Sequence, residues 1–327
     1  MPSRPILILL ALLPVTAPGQ VQSVLHPKGE DAALIAEISW ILFIGGGLIF
    51  FVVILLAGIA LFAPQPRREW LSHRSLIIGG GIAFPVVVLS ALLVYTFSSD
   101  TVAGKREPAA IRIEVTGELW WWRVRYLDAA GKVLLESANE IHLPVGKSAE
   151  VLLKSTEVIH SFWVPNLAGK LDLIPGRVNR LRLQADAPGS FRGQCAEYCG
   201  AQHAKMALYV IAEEPPAFEA WLAAQMRPAA TPRDDLQHLG QRLFLDNRCG
   251  QCHTVRGTAA AGKLGPDLTH VGSRASLAAG TLPNNPGTIA GWITGSQQIK
   301  PGSRMPSFNQ FSGHELRGLA AYLASLQ

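Results

Sequence analysis

Hydrophobic and polar positions divide the chain into zones of different period. Ile38 to Phe62 and Ser75 to Ser99 contain no charged residue, and each run is 25 residues long. That is enough to cross about 30 Å of hydrocarbon with some tilt. Core helices of soluble domains are rarely so long and so uniformly apolar. Pro85 and the Gly79-Gly80-Gly81 run suit a membrane helix better than a soluble one. From Ile111 the pattern changes. Ile111–Thr116, Ala149–Lys154, Val178–Leu183 and Ala207–Ile211 are strand-like, with turns such as Pro144-Val-Gly146, Pro175-Gly176 and Pro188-Gly189 between them. Alternation broken by regular turns predicts half-buried strands in an all-β sandwich or barrel. Residues 213–234 are rich in proline and alanine and predict a linker, whose Phe218–Leu222 patch suits a short helix against the barrel. Near the end, Ser312-Gly-His-Glu315 is a capping box, followed by Leu316, Leu319, Ala320 and Leu323 at helical spacing.

Charge sets the orientation. The loop between the apolar runs carries Arg67, Arg68 and Arg74, which places it on the cytoplasmic side and everything after Thr101 outside. Arg4 followed by the apolar Pro5–Val15 reads as a signal peptide ending near Gly19. The resulting division is a leader (1–19), an N-terminal segment with two membrane helices (20–100, helices about 38–62 and 75–99), a β domain (101–212), the linker (213–234) and a C-terminal domain (235–327). The net charge of +5 is scattered along the chain and gives no nucleic-acid signature.

Two clusters carry the chemistry. The segment Cys195-Ala-Glu197-Tyr-Cys199-Gly-Ala-Gln-His203-Ala-Lys-Met206 combines two thiols, an imidazole and a thioether. Soft sulfur with imidazole selects copper over calcium or magnesium. A Cys195–Cys199 disulfide would leave His203 and Met206 unexplained, and a closed zinc site usually wants CxxC pairs. Two bridging thiolates suit two copper ions, which needs one more histidine; His160, in Val158-Ile-His160-Ser-Phe-Trp-Val-Pro165, is the candidate. The second cluster, Cys249-Gly-Gln-Cys252-His253, is the covalent haem c signature, with His253 as one axial ligand. The chain has four methionines; Met1 is the initiator, Met206 belongs to the copper set and Met226 lies in the linker, so Met305 is the candidate sixth ligand. All four cysteines are then used, and both sites suit an oxidising compartment. Neither membrane run contains a histidine or an acid, so an intramembrane haem-iron centre would have to sit on a partner.

The C-x-E-x-C-G-x-x-H-x-x-M pattern with the upstream His160-Ser-Phe-Trp-Val-Pro resembles subunit II of the haem–copper cytochrome c oxidases, and the segment around Cys249 resembles a small cytochrome c. The resemblance implies a multidomain membrane protein: a two-helix transmembrane hairpin, an all-β cupredoxin-like Greek-key barrel, then an all-α cytochrome c domain. It implies the dinuclear copper A centre on His160, Cys195, Cys199, His203 and Met206, with Glu197 binding copper through its carbonyl and a magnesium shared with subunit I through its carboxylate. It implies that the Pro266 carbonyl orients His253, that electrons enter through Trp120 and Trp121, and that Leu171–Arg177 contacts subunit I. The family's glutamate near the start of the second helix has no counterpart in Glu69-Trp-Leu-Ser-His73-Arg74, and no role is assigned there. The implied function is the non-catalytic electron-input subunit of a proton-pumping oxidase in a bacterial-type plasma membrane, with both cofactor domains periplasmic. The implied partners are subunit I, other oxidase subunits, membrane lipid, and a soluble or membrane cytochrome c or a bc1-type complex as donor. A subunit of a copper A nitric oxide reductase and a membrane-anchored copper-delivery protein are the alternatives; the second has no use for a haem.

Overall fold

The computed structural model describes residues 22–103 and 108–327; the leader expected over residues 1–19 lies outside them. The first helix, α1 (Glu30–Phe62), starts eight residues before the apolar run. Glu30 and Asp31 lie in its first turn, where carboxylates complement the helix dipole. Two short helices, α2 (Gln65–Arg68) and α3 (Arg74–Ile78), follow in the connecting loop and at the start of the return. A π turn at Gly79–Ala83 joins α3 to α4 (Phe84–Ala103). Glu30–Phe62 and Arg74–Ser98 are long and apolar enough to cross a membrane, with mean hydropathies of 2.8 and 2.5. Tyr95 donates to Glu37 Oε1 at 2.7 Å, tying the two helices together. Ala32 and Ala36 are buried. The Lys28 amide just ahead of α1 donates to Asn166 O at 2.7 Å, and the Lys28 carbonyl accepts from Asp186 N at 2.8 Å, so the segment leading into α1 is pinned to the β domain.

Ten strands build that domain: β1 (Ile111–Glu118), β2 (Trp121–Leu127), β3 (Val133–Ala138), β4 (Glu140–Pro144), β5 (Ala149–Ser155), β6 (His160–Trp163), β7 (Leu171–Leu173), β8 (Asn179–Leu183), β9 (Gly189–Cys195) and β10 (Ala207–Glu213). They form two five-stranded sheets, ordered β3-β2-β1-β5-β8 and β4-β10-β9-β6-β7. β1 is antiparallel to β2 and parallel to β5. Trp122, Ile113, Leu143, Phe162, Leu173 and Leu183 are fully buried between the sheets.

β1 departs from the half-buried strand that its alternation predicts: six of its eight residues are buried. Cations cover its polar face. Glu114 accepts from Lys154 at 2.5 Å and Arg125 at 3.1 Å, and Glu118 accepts from Arg123 at 2.6 Å. Burial raises the Glu114 pKa, but the bonds to Lys154 and Arg125 overcome it and hold the carboxyl below its ordinary value. A carboxylate with a lowered folded-state pKa contributes stability that is present above its unfolded pKa and lost as pH falls through the folded one. Glu114→Gln is therefore expected to flatten the acid limb of the melting curve below about pH 4 by up to one proton, about 1.4 kcal/mol per pH unit. Melting midpoints of both proteins between pH 3 and 6 test this; parallel acid limbs would rule it out.

Helix α5 (Pro215–Gln225) occupies half of the expected linker. Trp221 stacks on His142, with centroids 4.0 Å apart and planes at 9°, and lies 5.4 Å from Tyr126. The His142 ring is held between the Glu213 and Glu140 carboxylates at 2.8 and 2.9 Å. The C-terminal domain contains α6 (Asp235–Asp246), a small hairpin of β11 (Ser276–Leu277) and β12 (Leu282–Pro283), α7 (Pro286–Ile299) and α8 (Gly313–Ser325). Asp234 caps α6, and capping boxes at Asn285/Thr288 and Ser312/Glu315 start α7 and α8. Phe244 meets Tyr322 edge-on at 5.9 Å in a separate apolar core.

Candidate metal and cofactor site

The sulfur-rich segment is the connection between β9 and β10. Cys195 ends β9, His203–Lys205 form one 3-10 turn, and Ala207 opens β10. The Cys195 amide donates to Met206 O at 2.9 Å and the Ala196 amide to Ser161 O at 3.0 Å. These bonds close the loop and set it beside His160, the first residue of β6. His160, Cys195 and Cys199 bring their ligand atoms within 4.8 Å of one another, all three buried. Cys199 Sγ lies 3.7 Å from Cys195 Sγ, 3.7 Å from His203 Nδ1 and 3.9 Å from Met206 Sδ. Cys195 Sγ lies 3.8 Å from His160 Nδ1 and 3.2 Å from Glu197 O.

These distances are far beyond the roughly 2.05 Å of a disulfide. Two sulfurs 3.7 Å apart can share a metal when each reaches it at about 2.3 Å, the length typical of a metal–thiolate bond. The donor set is soft and almost wholly buried, which fits copper. His160 Nε2 is buried and has no hydrogen-bond partner among the described residues, so the ring is oriented by its other nitrogen, toward the sulfurs. Donation from Cys199 holds the Cys195 thiol well below its ordinary pKa, against the effect of burial, and the same pairing pushes Cys199 up. The Glu197 carboxylate faces outward, 46% exposed and 3.8 Å from Lys170.

The second cluster lines a cavity of about 450 Å³, within the range of cofactor pockets. Cys249, Cys252, His253 and Met305 all face it, with Phe308 and Leu319 among its apolar walls. His253 Nδ1 donates to Pro266 O at 2.8 Å, which leaves the lone pair of the unprotonated Nε2 free. Burial lowers the His253 pKa, only partly opposed by that bond, which favours the neutral ring. A Cβ at Gly265 would stand 2.6 Å from His253 Cε1; only glycine leaves the ring its place. The Met305 carbonyl accepts from Ser296 Oγ at 2.9 Å and Gln297 Nε2 at 2.6 Å, fixing the methionine on the cavity wall. The residues present fit a covalently attached haem.

The aromatic stretch divides its roles. Trp122 is core, edge-on to Phe162 at 5.9 Å. Trp120 and Trp121 line the cavity of the C-terminal domain, and the Arg123 guanidinium lies 4.7 Å over Trp121. Trp120 Nε1 donates to Cys199 O at 2.8 Å. Trp120 thus touches both sites and is only partly exposed, because the C-terminal domain covers it. Electron entry through Trp120, which the resemblance implies, calls for an exposed ring. Sequence reasoning also missed Lys300, whose ammonium bonds Trp120 O, Lys205 O and Ala278 O at 2.8, 2.8 and 3.2 Å. A single lysine ahead of Pro301-Gly302 carries no periodic or motif signal.

Two family models match the chain: "Cytochrome C oxidase subunit II, periplasmic domain" over residues 115–213 and "Cytochrome c" over residues 237–327. The chain is 37% identical over 217 residues to cytochrome c oxidase subunit 2 of Alkalihalophilus pseudofirmus, covering 66% of this chain and 61% of that protein. It is 30% identical over 222 residues to a probable cytochrome c oxidase subunit 2 of Rickettsia bellii, covering 62% of this chain and 80% of that protein. The crystallised periplasmic domain of subunit II of cytochrome oxidase from Bradyrhizobium japonicum is 31% identical, with a TM-score of 0.34, over 36% of this chain and 95% of that one. The matches span less than two thirds of the first curated relatives, 61% and 64% of their lengths.

Proposed function

This chain belongs to the cytochrome c oxidase subunit II family, extended by a cytochrome c domain, and from that premise we propose that it is the electron-input subunit of a membrane oxidase. Electrons from an external cytochrome or a bc1-type complex would be taken up in the C-terminal domain and delivered to the Cys195–Met206 loop. From there they would pass to the catalytic subunit I, where oxygen is reduced to water and protons are pumped. His160, Cys195, Cys199, His203 and Met206, with the Glu197 carbonyl, would hold two copper ions. Cys249, Cys252, His253 and Met305 would hold the haem. When bound, these groups supply reversible one-electron oxidation and reduction.

The protein's own residues do the remaining work. Burial of the Cys195 and Cys199 thiols and of the His160 imidazole excludes water, which reduces the reorganisation that each charge change demands. Pro266 fixes the tautomer and direction of His253. The observation that carries the reading is Trp120: its ring lines the haem cavity while its Nε1 bonds the carbonyl of Cys199. The Glu197 carboxylate, beside Lys170, would supply oxygen to a magnesium shared with subunit I. The two apolar helices would anchor the chain in a plasma membrane with both cofactor domains outside, in contact with lipid and the other oxidase subunits.

The test is metal content and near-infrared absorption of the full chain matured in an oxidising compartment. Two coppers per covalent haem, with a mixed-valence band that vanishes on reduction, are expected. Haem without copper, or one exchangeable copper, would refute the dinuclear assignment.

A further inference from the structure

Lys300 is 3% exposed and follows the last turn of α7. Its ammonium has three donors, and each faces a backbone carbonyl: Trp120 and Lys205 of the β domain, and Ala278 of its own domain. Among the described residues no carboxylate bonds it. Burial first, and Lys205 after it, pushes its pKa down to about 7. A buried cation neutralised only by carbonyl dipoles is expensive, and an apolar side chain would fill the same space without that penalty. What the lysine adds is a bond from one domain to the copper loop, at Lys205, and to Trp120, the residue that bonds this loop at Cys199.

Further bonds cross the same seam, most of them donated from the β domain. Gln202 Nε2 donates to Pro301 O at 2.8 Å, and Lys205 Nζ to Ile299 O at 2.5 Å. The Ala207 amide donates to Ala279 O at 3.0 Å, the Ala275 amide to Glu140 Oε2 at 2.7 Å, and Arg123 Nη2 to Lys263 O at 2.9 Å. A Cβ at Gly302 would lie 3.6 Å from the Trp120 ring, so the segment carrying Met305 runs against that ring. The copper loop and the 299–302 segment are therefore joined at several points, and Lys300 is the most deeply buried of the side-chain donors there.

We propose that Lys300 is a positioning residue that locks the cytochrome domain onto the copper loop, holding Trp120 between the haem cavity and Cys199, so that electrons cross within a docked pair and not after a tethered search. The electron-transfer half of this inference rests on the proposed function; the docking half does not. A consequence is that an external donor is kept from Trp120 and must deliver through the haem.

The test uses the full chain in detergent with Lys300→Met, which keeps the stem and removes the donors. Lys300→Gln serves the same purpose with one amide retained, should the first variant fail to take up haem. Amide exchange at Ala207 and Ala275 reads docking whether or not copper is present. Exchange at both is expected to quicken by about tenfold or more, the effect of losing a hydrogen-bonded buried charge. In the loaded protein, haem-to-copper transfer after flash reduction of the haem is expected to slow by about tenfold. It is also expected to become dependent on solvent viscosity, which a fixed pair does not show. Unchanged exchange in a haem-loaded variant would overturn the docking role. Faster exchange with an unchanged, viscosity-independent rate would overturn the electron-transfer role. A wild-type protein that binds both cofactors but transfers no electron between them would refute the proposed function, and exchange would still decide the part played by Lys300.

Discussion

Cys199→Ser is expected to lower copper below one ion per chain, abolish the mixed-valence band and stop re-oxidation of the haem through this subunit. Cys199 Sγ is the hub of the donor set: Cys195, His203 and Met206 all have ligand atoms within 3.9 Å of it. A serine hydroxyl is a hard donor that keeps its proton, and it replaces a soft thiolate that would bridge both ions. The remaining donors, centred on the His160–Cys195 pair, would hold at most one copper. Changes to residues that merely orient a ligand cost about 10–100-fold in metal affinity or activity; loss of the bridging ligand is expected to exceed that, with haem-to-copper transfer slowed by about a thousandfold or more. Haem content should be untouched, since Cys249, Cys252 and His253 lie in another domain. Copper and haem analysis, with a single-turnover measurement, decides the matter. A Cys199→Ser protein that keeps two coppers per haem and the near-infrared band would remove Cys199 from the site.

The second large effect is structural. Gly240→Ala is expected to lower the melting midpoint of the cytochrome domain by on the order of 10–20 °C, corresponding to about 3 kcal/mol in a domain of this size. At an exposed helix position the same change stabilises, because glycine costs up to about 1 kcal/mol relative to alanine. Here the sign reverses. A Cβ on Gly240 would stand 2.0 Å from Gly318 O and 2.5 Å from Gly318 C, and both are backbone atoms of α8 that no rotamer change can move. α8 has little freedom to retreat, being capped by Ser312 and Glu315 and packed through Tyr322 on Phe244. Gly291→Ala on α7 is the control: nothing lies within 4 Å of its Cβ position, so it is expected to be neutral or slightly stabilising. Thermal unfolding of both haem-loaded variants tests the pair; equal midpoints would show that α6 and α8 have slack.

Much of this molecule is legible in one dimension. The two apolar runs name the membrane helices because helix length and bilayer thickness are both fixed distances. The ligand sets are legible because the chemistry demands particular atoms at short spacing: Cys195 to Met206 sit within one loop, and Cys249 to His253 within one turn. His160 was reachable only as the histidine that the copper pair still required. Pro266 came from resemblance, and the structure sets its carbonyl 2.8 Å from His253 Nδ1.

What was misread shares one cause. The alternation of β1 predicts a wet face, yet Glu114 and Glu118 are buried beneath cations from β2 and β5, Arg123, Arg125 and Lys154. The linker helix that the Phe218–Leu222 patch predicts runs further, from Pro215 to Gln225, where Trp221 finds the flat face of His142, a partner almost eighty positions away. Local period and ligand spacing are properties of neighbours in the chain, so the membrane helices, several strands, the sulfur loop and the haem motif can be read along it. The covering of Trp120, the burial of Lys300 and the approach of the cavity to Cys199 depend on which surfaces of two separate domains meet. That choice is made by shape and by carbonyl groups that every residue carries alike, so it emerges when the two domains pack and leaves no mark in the order of residues.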